Sequence, residues 1–269
     1  MNRRTFLAGL ALATLSLSAC GDTTGGARVS FAVRVGGVER AERGPLRFET
    51  DQGWRVTLTE ARIAVGPIYL NTIAPVVARR SLGDRLSDLV IAPAWAHGET
   101  HLGAGRIVGQ VTTQVLVDVL DPGLTSIPGG GDGVDERVNS LEFWYFNEGA
   151  MQNAALRVAG VAERDAVSVP FEGALVVDER LATPQAPLDM ARRVRGVPAD
   201  FELTEGGALT VRVDPTGWFR GADFSELLTL PEGTSGRRRF STDDNVGRAF
   251  VENVRGTRGV FVPSFAPRQ

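Results

Sequence analysis

Alternation of apolar and polar side chains with a period of two runs through most of this 269-residue chain, and it limits the fold more than any other feature. It is visible in "VSFAVRV" (29–35), "LRFET" (46–50), "WRVTLTEARIAV" (54–65), "RIVGQVTTQVLVDV" (106–119) and "SLEFWYF" (140–146). It continues in "AALRVAGVAE" (154–163), "AVSVPFEGALVVDE" (166–179), "ADFELTE" (199–205) and "ALTVRVD" (208–214). A strand sends successive side chains to opposite faces, so this pattern describes sheets with one dry and one wet face. Turn formers cluster between the runs, notably in "DPGLTSIPGGGDGVDERVN" and "TEGGA". The expected fold is all-β, a single antiparallel β-sandwich with Greek-key-like connections.

Helical spacing is confined to one or two short stretches near the C-terminus. "DFSELLTL" (223–230) reads as a turn of helix capped by Asp223. "STDDNVGRAFVENVRGT" (241–257) opens on a capping serine and an acidic turn, spaces Val246, Phe250 and Val254 along one face, and stops at Gly256. The apolar "GVFVPSF" that follows reads as a closing strand.

The first nineteen residues stand apart from this pattern. Arg3 and Arg4 precede an apolar run that is too short to span a bilayer, and Ser18-Ala19 precede Cys20. Residues 1–19 are therefore expected to be a signal peptide of lipoprotein type. "LSAC" resembles a bacterial lipobox with Cys20 as the lipidated residue, and the paired arginines resemble a twin-arginine export motif. Residues 20–27, rich in Gly and Thr, read as a lipidated tether, and 28–269 as one β-sandwich domain. The expected location is the cell envelope, as a periplasmic or outer-surface lipoprotein held to the membrane through Cys20.

Composition then removes whole classes of chemistry. Cys20 is the only cysteine, so the mature domain has no thiol nucleophile and no thiolate metal site. Every basic side chain is arginine, which excludes a Schiff-base lysine, a P-loop lysine and a Ser–Lys dyad. No Gly-x-Ser-x-Gly elbow is present. The net charge is −3, and losing Arg3 and Arg4 with the signal makes it more negative, so nucleic acid is not an expected partner. The chain is not expected to be an enzyme.

Both histidines, His97 and His101, fall in one glycine-flanked stretch, "PAWAHGETHLGAG" (93–105), which interrupts the strand pattern and reads as a loop at one end of the sandwich. Neutral imidazole is the commonest nitrogen ligand for copper or zinc, and Glu99 between the two offers an oxygen. Trp95 would line such a site. The alternative for the pair is ordinary loop histidines bonded to backbone. Trp54, Trp144 and Trp218 read as core or edge packing, and Asp132, Asp135 and Glu136 as a polar hairpin loop that lacks the spacing of an EF-hand.

The order of features resembles the periplasmic copper-binding lipoproteins found beside methanobactin operons and the related copper-repressible surface proteins of methanotrophs. The residues that carry the resemblance are "RVGG", then "FETDQGWRVTLTEARIAVGPIYL", then the histidine-bearing loop. It implies copper(I) held by two histidines and by a tryptophan oxidised to kynurenine, and Trp95-Ala96-His97 fits one arrangement of that group. In those proteins the second histidine lies farther along the chain than His101 does here. The functional expectation is an extracytoplasmic lipoprotein that binds a transition metal, copper first, for storage or delivery to an acceptor. The alternative is a metal-free lipoprotein that contacts an envelope protein partner.

Overall fold

The computed structural model describes residues 26–40, 43–74, 106–182, 186–257 and 260–268. Among them the chain is mostly β. The strands are β1 (Arg28–Gly37), β2 (Leu46–Glu49), β3 (Arg55–Asn71), β4 (Ile107–Val111), β5 (Val115–Asp118), β6 (Leu124–Ser126) and β7 (Gly131–Val134). They continue with β8 (Arg137–Tyr145), β9 (Leu156–Arg164), β10 (Val167–Leu175), β11 (Arg193–Glu202), β12 (Ala208–Val213), β13 (Arg238–Arg239) and β14 (Phe261–Ala266). Two α-helices, α1 (Leu188–Ala191) and α2 (Asn245–Val254), and short 3-10 turns complete the described elements. No helix among the described residues is long and apolar enough to cross a membrane.

These strands join in one large mixed open sheet, with the path β13-β10-β9-β3-β4-β7-β1-β12-β14 and branches through β2, β5, β6, β8 and β11. The expectation of purely antiparallel pairing is corrected at two places. β1 runs parallel to β12, with Val33 opposite Leu209, and β10 runs parallel to β13. Alternation reports which face of a strand is dry and carries no information about the direction of its neighbour, so both pairings were hidden from it.

β3 is the spine. β9 and then β8 pair along one side of it, while β2, β5 and β4 follow one another along the other. Its buried residues change phase twice, from Val56 and Leu58 to Ala61, Ile63 and Val65, then to Ile68 and Leu70. Register shifts against β9 at Leu58/Glu60 and against β8 at Val65/Ile68 mark the changes. One extra residue at each point keeps the apolar side inward while the strand bends. Gly66, with φ 133°, and the cis Gly66–Pro67 peptide lie at the second point.

The core has two centres. One is aromatic: Phe219 lies 5.5 Å from Phe171, 5.5 Å from Phe224 and 5.6 Å from Phe250 between ring centroids. Such tilted, edge-on and offset contacts add to the gain from removing the rings from water. The other centre stacks Phe143 of β8 on Phe261 of β14 at 4.1 Å. Tyr145, fully enclosed, donates its hydroxyl to the Val254 carbonyl at 2.5 Å and ties α2 to β8. Burial pushes the Tyr145 phenol well above its ordinary range, against the pull of the Arg255 charge.

The C-terminal expectations are met with shifted starts. Residues 224–229 form a 3-10 turn capped by Asp223, whose carboxylate accepts from Ser225 N. In α2, Val246, Phe250 and Val254 are buried as expected. The cap, however, is Asp244, which accepts from Gly247 N at 2.7 Å, because Ser241 is engaged in a turn of its own with Asp243 and Asp244. "GVFVPSF" closes the sheet as β14 beside β12.

Candidate functional site

Arg3, Arg4, Cys20, Trp95, His97, Glu99 and His101 lie outside the described residues. The described residues do show where the histidine-bearing stretch leaves the sheet and where it returns. Asn71, at the end of β3, pairs with Ile107 at the start of β4, and Thr72 N donates to the Arg106 carbonyl at 3.2 Å. The described residues that flank the 75–105 stretch are therefore held next to each other on neighbouring strands.

Polar contacts from β8 and its approach fix this foot. Ser140 Oγ donates to the Ile73 carbonyl at 2.7 Å, and Asn139 Nδ2 donates to the Thr72 carbonyl. Arg106 forms an ion pair with Glu136. Asn71 and Ser140 are two of the few buried polar residues in the described core, and they face one another across β3 and β8. Such residues are uncommon inside a core unless their partners are fixed, and the exit point of the chain is specified by those partners.

The same end of the sheet receives the N-terminal segment. Asp135 N donates to the Ala27 carbonyl at 2.8 Å, and Arg28 of β1 faces Val134 of β7. β7 in turn pairs with β4 through Gly133 and Gly109, so Ala27, Asp135, Arg106 and Thr72 sit on successive strands. Asp132, Asp135, Glu136, Glu202 and Glu205 gather here against Arg28, Arg106 and Arg137. Among the described residues no group of three or more His, Cys, Asp or Glu side chains is arranged to hold a metal ion. The Asp132–Glu136 stretch, expected as a polar hairpin loop, is instead strand β7, paired with β1 and β4, and a short link to β8; Asp132 accepts from Ser30 Oγ at 3.3 Å.

The remaining tryptophans pack, as expected. Trp54 and Trp218 are buried. Trp54 donates its indole N–H to Asp223 at 3.1 Å, with the Arg164 guanidinium 4.4 Å above the ring. Partial desolvation works to raise the Asp223 pKa, but bonds from Ser225 and Trp54 and the Arg164 charge outweigh it and hold the carboxyl below its usual range. Trp144 lies against Arg193 at 3.9 Å and Arg192 at 4.5 Å, and donates to Glu142 at 2.7 Å. Its ring is covered by these guanidinium groups and does not form an open platform.

Sequence reasoning missed a concave site at the open edge of β10, with a volume of about 310 Å³. Arg157, Glu172, Asp178, Arg180 and Arg239 stand around it beside an apolar lining. Spaced far apart in the chain, these residues carry no motif; only the pairing of β9, β10 and β13 assembles them. The chain matches no family model, no curated protein and no solved structure.

Proposed function

We propose that this chain is an envelope lipoprotein that carries a transition metal, copper first, on His97 and His101, for storage or delivery. The observation that carries the reading is the foot of the histidine-bearing stretch. The described residues that flank that stretch are pinned on adjoining strands, at the sheet end where the N-terminal segment enters. From Cys20 to Gly26 the chain reaches roughly 20 Å when fully extended. A lipid on Cys20 would therefore keep this end close to the bilayer, where a membrane-bound acceptor could take the ion. The excess of carboxylates at that end favours the approach of cations. The packing of β14 on β8 and β11, through Phe261 on Phe143 and Phe265 on Phe201, supports a sandwich as the carrier.

Glu99 adds an oxygen ligand in this reading, and Trp95 closes over the ion or, once oxidised, supplies an oxygen of its own. The domain would bind and release and would not turn over a substrate. Metal analysis of protein isolated from its native envelope should find the ion in the wild type and lose it in His97→Ala/His101→Ala. Equal metal in both forms ends the proposal and leaves the metal-free partner-binding lipoprotein. Because imidazole must be neutral to bind, retention should fall as pH drops below about 6.5. Mass spectrometry of the Trp95 peptide reports whether the indole is oxidised, and of the N-terminal peptide whether Cys20 is acylated.

A further inference from the structure

We infer that the cavity at the open edge of β10, beyond the short pairing with β13, is a binding site for a small organic monocarboxylate with an apolar body. β10 and β9 pair with Ala174 opposite Arg157 and Glu172 opposite Ala159, which brings Arg157 and Glu172 to the same side of the sheet. β13 places Arg239 beside Glu172. On the other side of the β10 edge the lining is apolar: Met151, Leu175 and Phe240 border the cavity and are each at most 4% exposed. The Phe240 ring lies directly on the β10 backbone, and a Cβ on Gly173 would come within 2.0 Å of its Cζ. Glycine at 173 is what lets the ring pack against the core-facing side of β10 and border the cavity.

The charges around the rim do not balance. Glu172 is saturated: Arg239 donates to Oε1 at 3.1 Å and 2.8 Å, and Ser235 Oγ donates to Oε2 at 3.1 Å. Desolvation works to raise the Glu172 pKa, but these bonds and the Arg239 and Arg157 charges overcome it, so the carboxylate stays ionised. Asp178 is saturated likewise by the Arg180 side chain and backbone N–H. Arg157 makes no hydrogen bond or ion pair among the described residues, and it is the guanidinium left over.

That leftover charge sets the ligand class. A guanidinium presents paired N–H donors that match the two oxygens of a carboxylate, and the bond is among the stronger ones available at a partly wet site. A dianion such as a phosphate monoester would need a second free cation in the cavity; Arg180 and Arg239 are already neutralised, and Arg62, opposite Arg157 on β3, does not line it. A cation would meet Arg157 unfavourably. The volume lies at the lower end for ligand sites, which limits the guest to a small molecule whose hydrocarbon part covers Met151, Leu175 and Phe240.

The test is calorimetric titration of the mature protein with 4-phenylbutyrate, 4-phenylbutan-1-ol and 4-phenylbutylamine. The carboxylate should bind with saturation and the amine should not. Arg157→Gln should weaken carboxylate binding about tenfold or more, with Arg157→Lys in between. Arg157 makes no hydrogen bond or ion pair among the described residues and acts on Glu172 only through its charge, so Arg157→Gln should leave the melting temperature nearly unchanged, which separates lost binding from lost folding. Ala174→Trp, on the exposed rim, should block the site while leaving Arg157 intact. The inference is overturned if the alcohol binds as tightly as the carboxylate, if Arg157→Gln binds unchanged, or if no saturation is seen up to about 10 mM.

Discussion

The aromatic centre around Phe219 and the foot of the 75–105 stretch are held by opposite means. At the first, rings from β10, α2 and the 3-10 turns Pro215–Phe219 and Phe224–Thr229 meet with almost no polar contact. At the second, Ser140, Asn139, Thr72, Arg106 and Glu136 hold the chain with hydrogen bonds and one ion pair. Apolar burial is strong and non-directional, so it sets how stable the body is. Hydrogen bonds contribute less but demand particular partners, so they set where the chain leaves the sheet. Stability and positioning are assigned to different parts of the molecule.

Breaking the aromatic centre should have the larger effect. Phe219→Ala removes the ring shared by Phe171, Phe224 and Phe250 and should cost about 3–5 kcal/mol in denaturant unfolding, with the whole described sheet melting together. Tyr145→Phe sits between the two regimes. It keeps the buried ring and leaves the Val254 carbonyl without its donor, for an expected loss of about 1–2 kcal/mol by the same assay. Ser140→Ala should be the mildest, about 0.5–1.5 kcal/mol. Its signature is local: hydrogen exchange should quicken at the Thr72 amide while amides of β9 and β10 stay protected. If Ser140→Ala instead loosened the aromatic centre equally, the division between the two regions would fail.

Much of the sheet was legible from alternation, and particular residues show where legibility ended. β1, β9, β10 and β12 lie where period two places them. β3 was read only to Val65, yet the strand continues through Gly66-Pro67 to Asn71 after a shift in register. β7 was read as loop because "GDGV" is glycine-rich. The Phe31 ring explains the first glycine, since a Cβ on Gly131 would lie 2.4 Å from it; glycine there marks close packing and not a turn. β11 begins at Arg193, before the stretch that alternation marked, because its bulges against β8 scramble the period. The histidine pair was legible as spacing alone, whereas the arginine-rimmed cavity was invisible in sequence because separate strands contribute its residues.

The parallel pairing of β1 with β12 carries a consequence for biogenesis. The first strand cannot complete its ladder until a segment 175 residues downstream has arrived, as the Arg212 side chain bonded to the Gly37 carbonyl illustrates. Contacts of such long sequence separation form late and slow the search for the native state. A chain emerging amino end first could pair its opening strand with β6 and β7 but would leave the β12 side open until Val213 was out. Swapping the order of synthesis by circular permutation, so that β12 is made before β1, would hasten the closing of that seam.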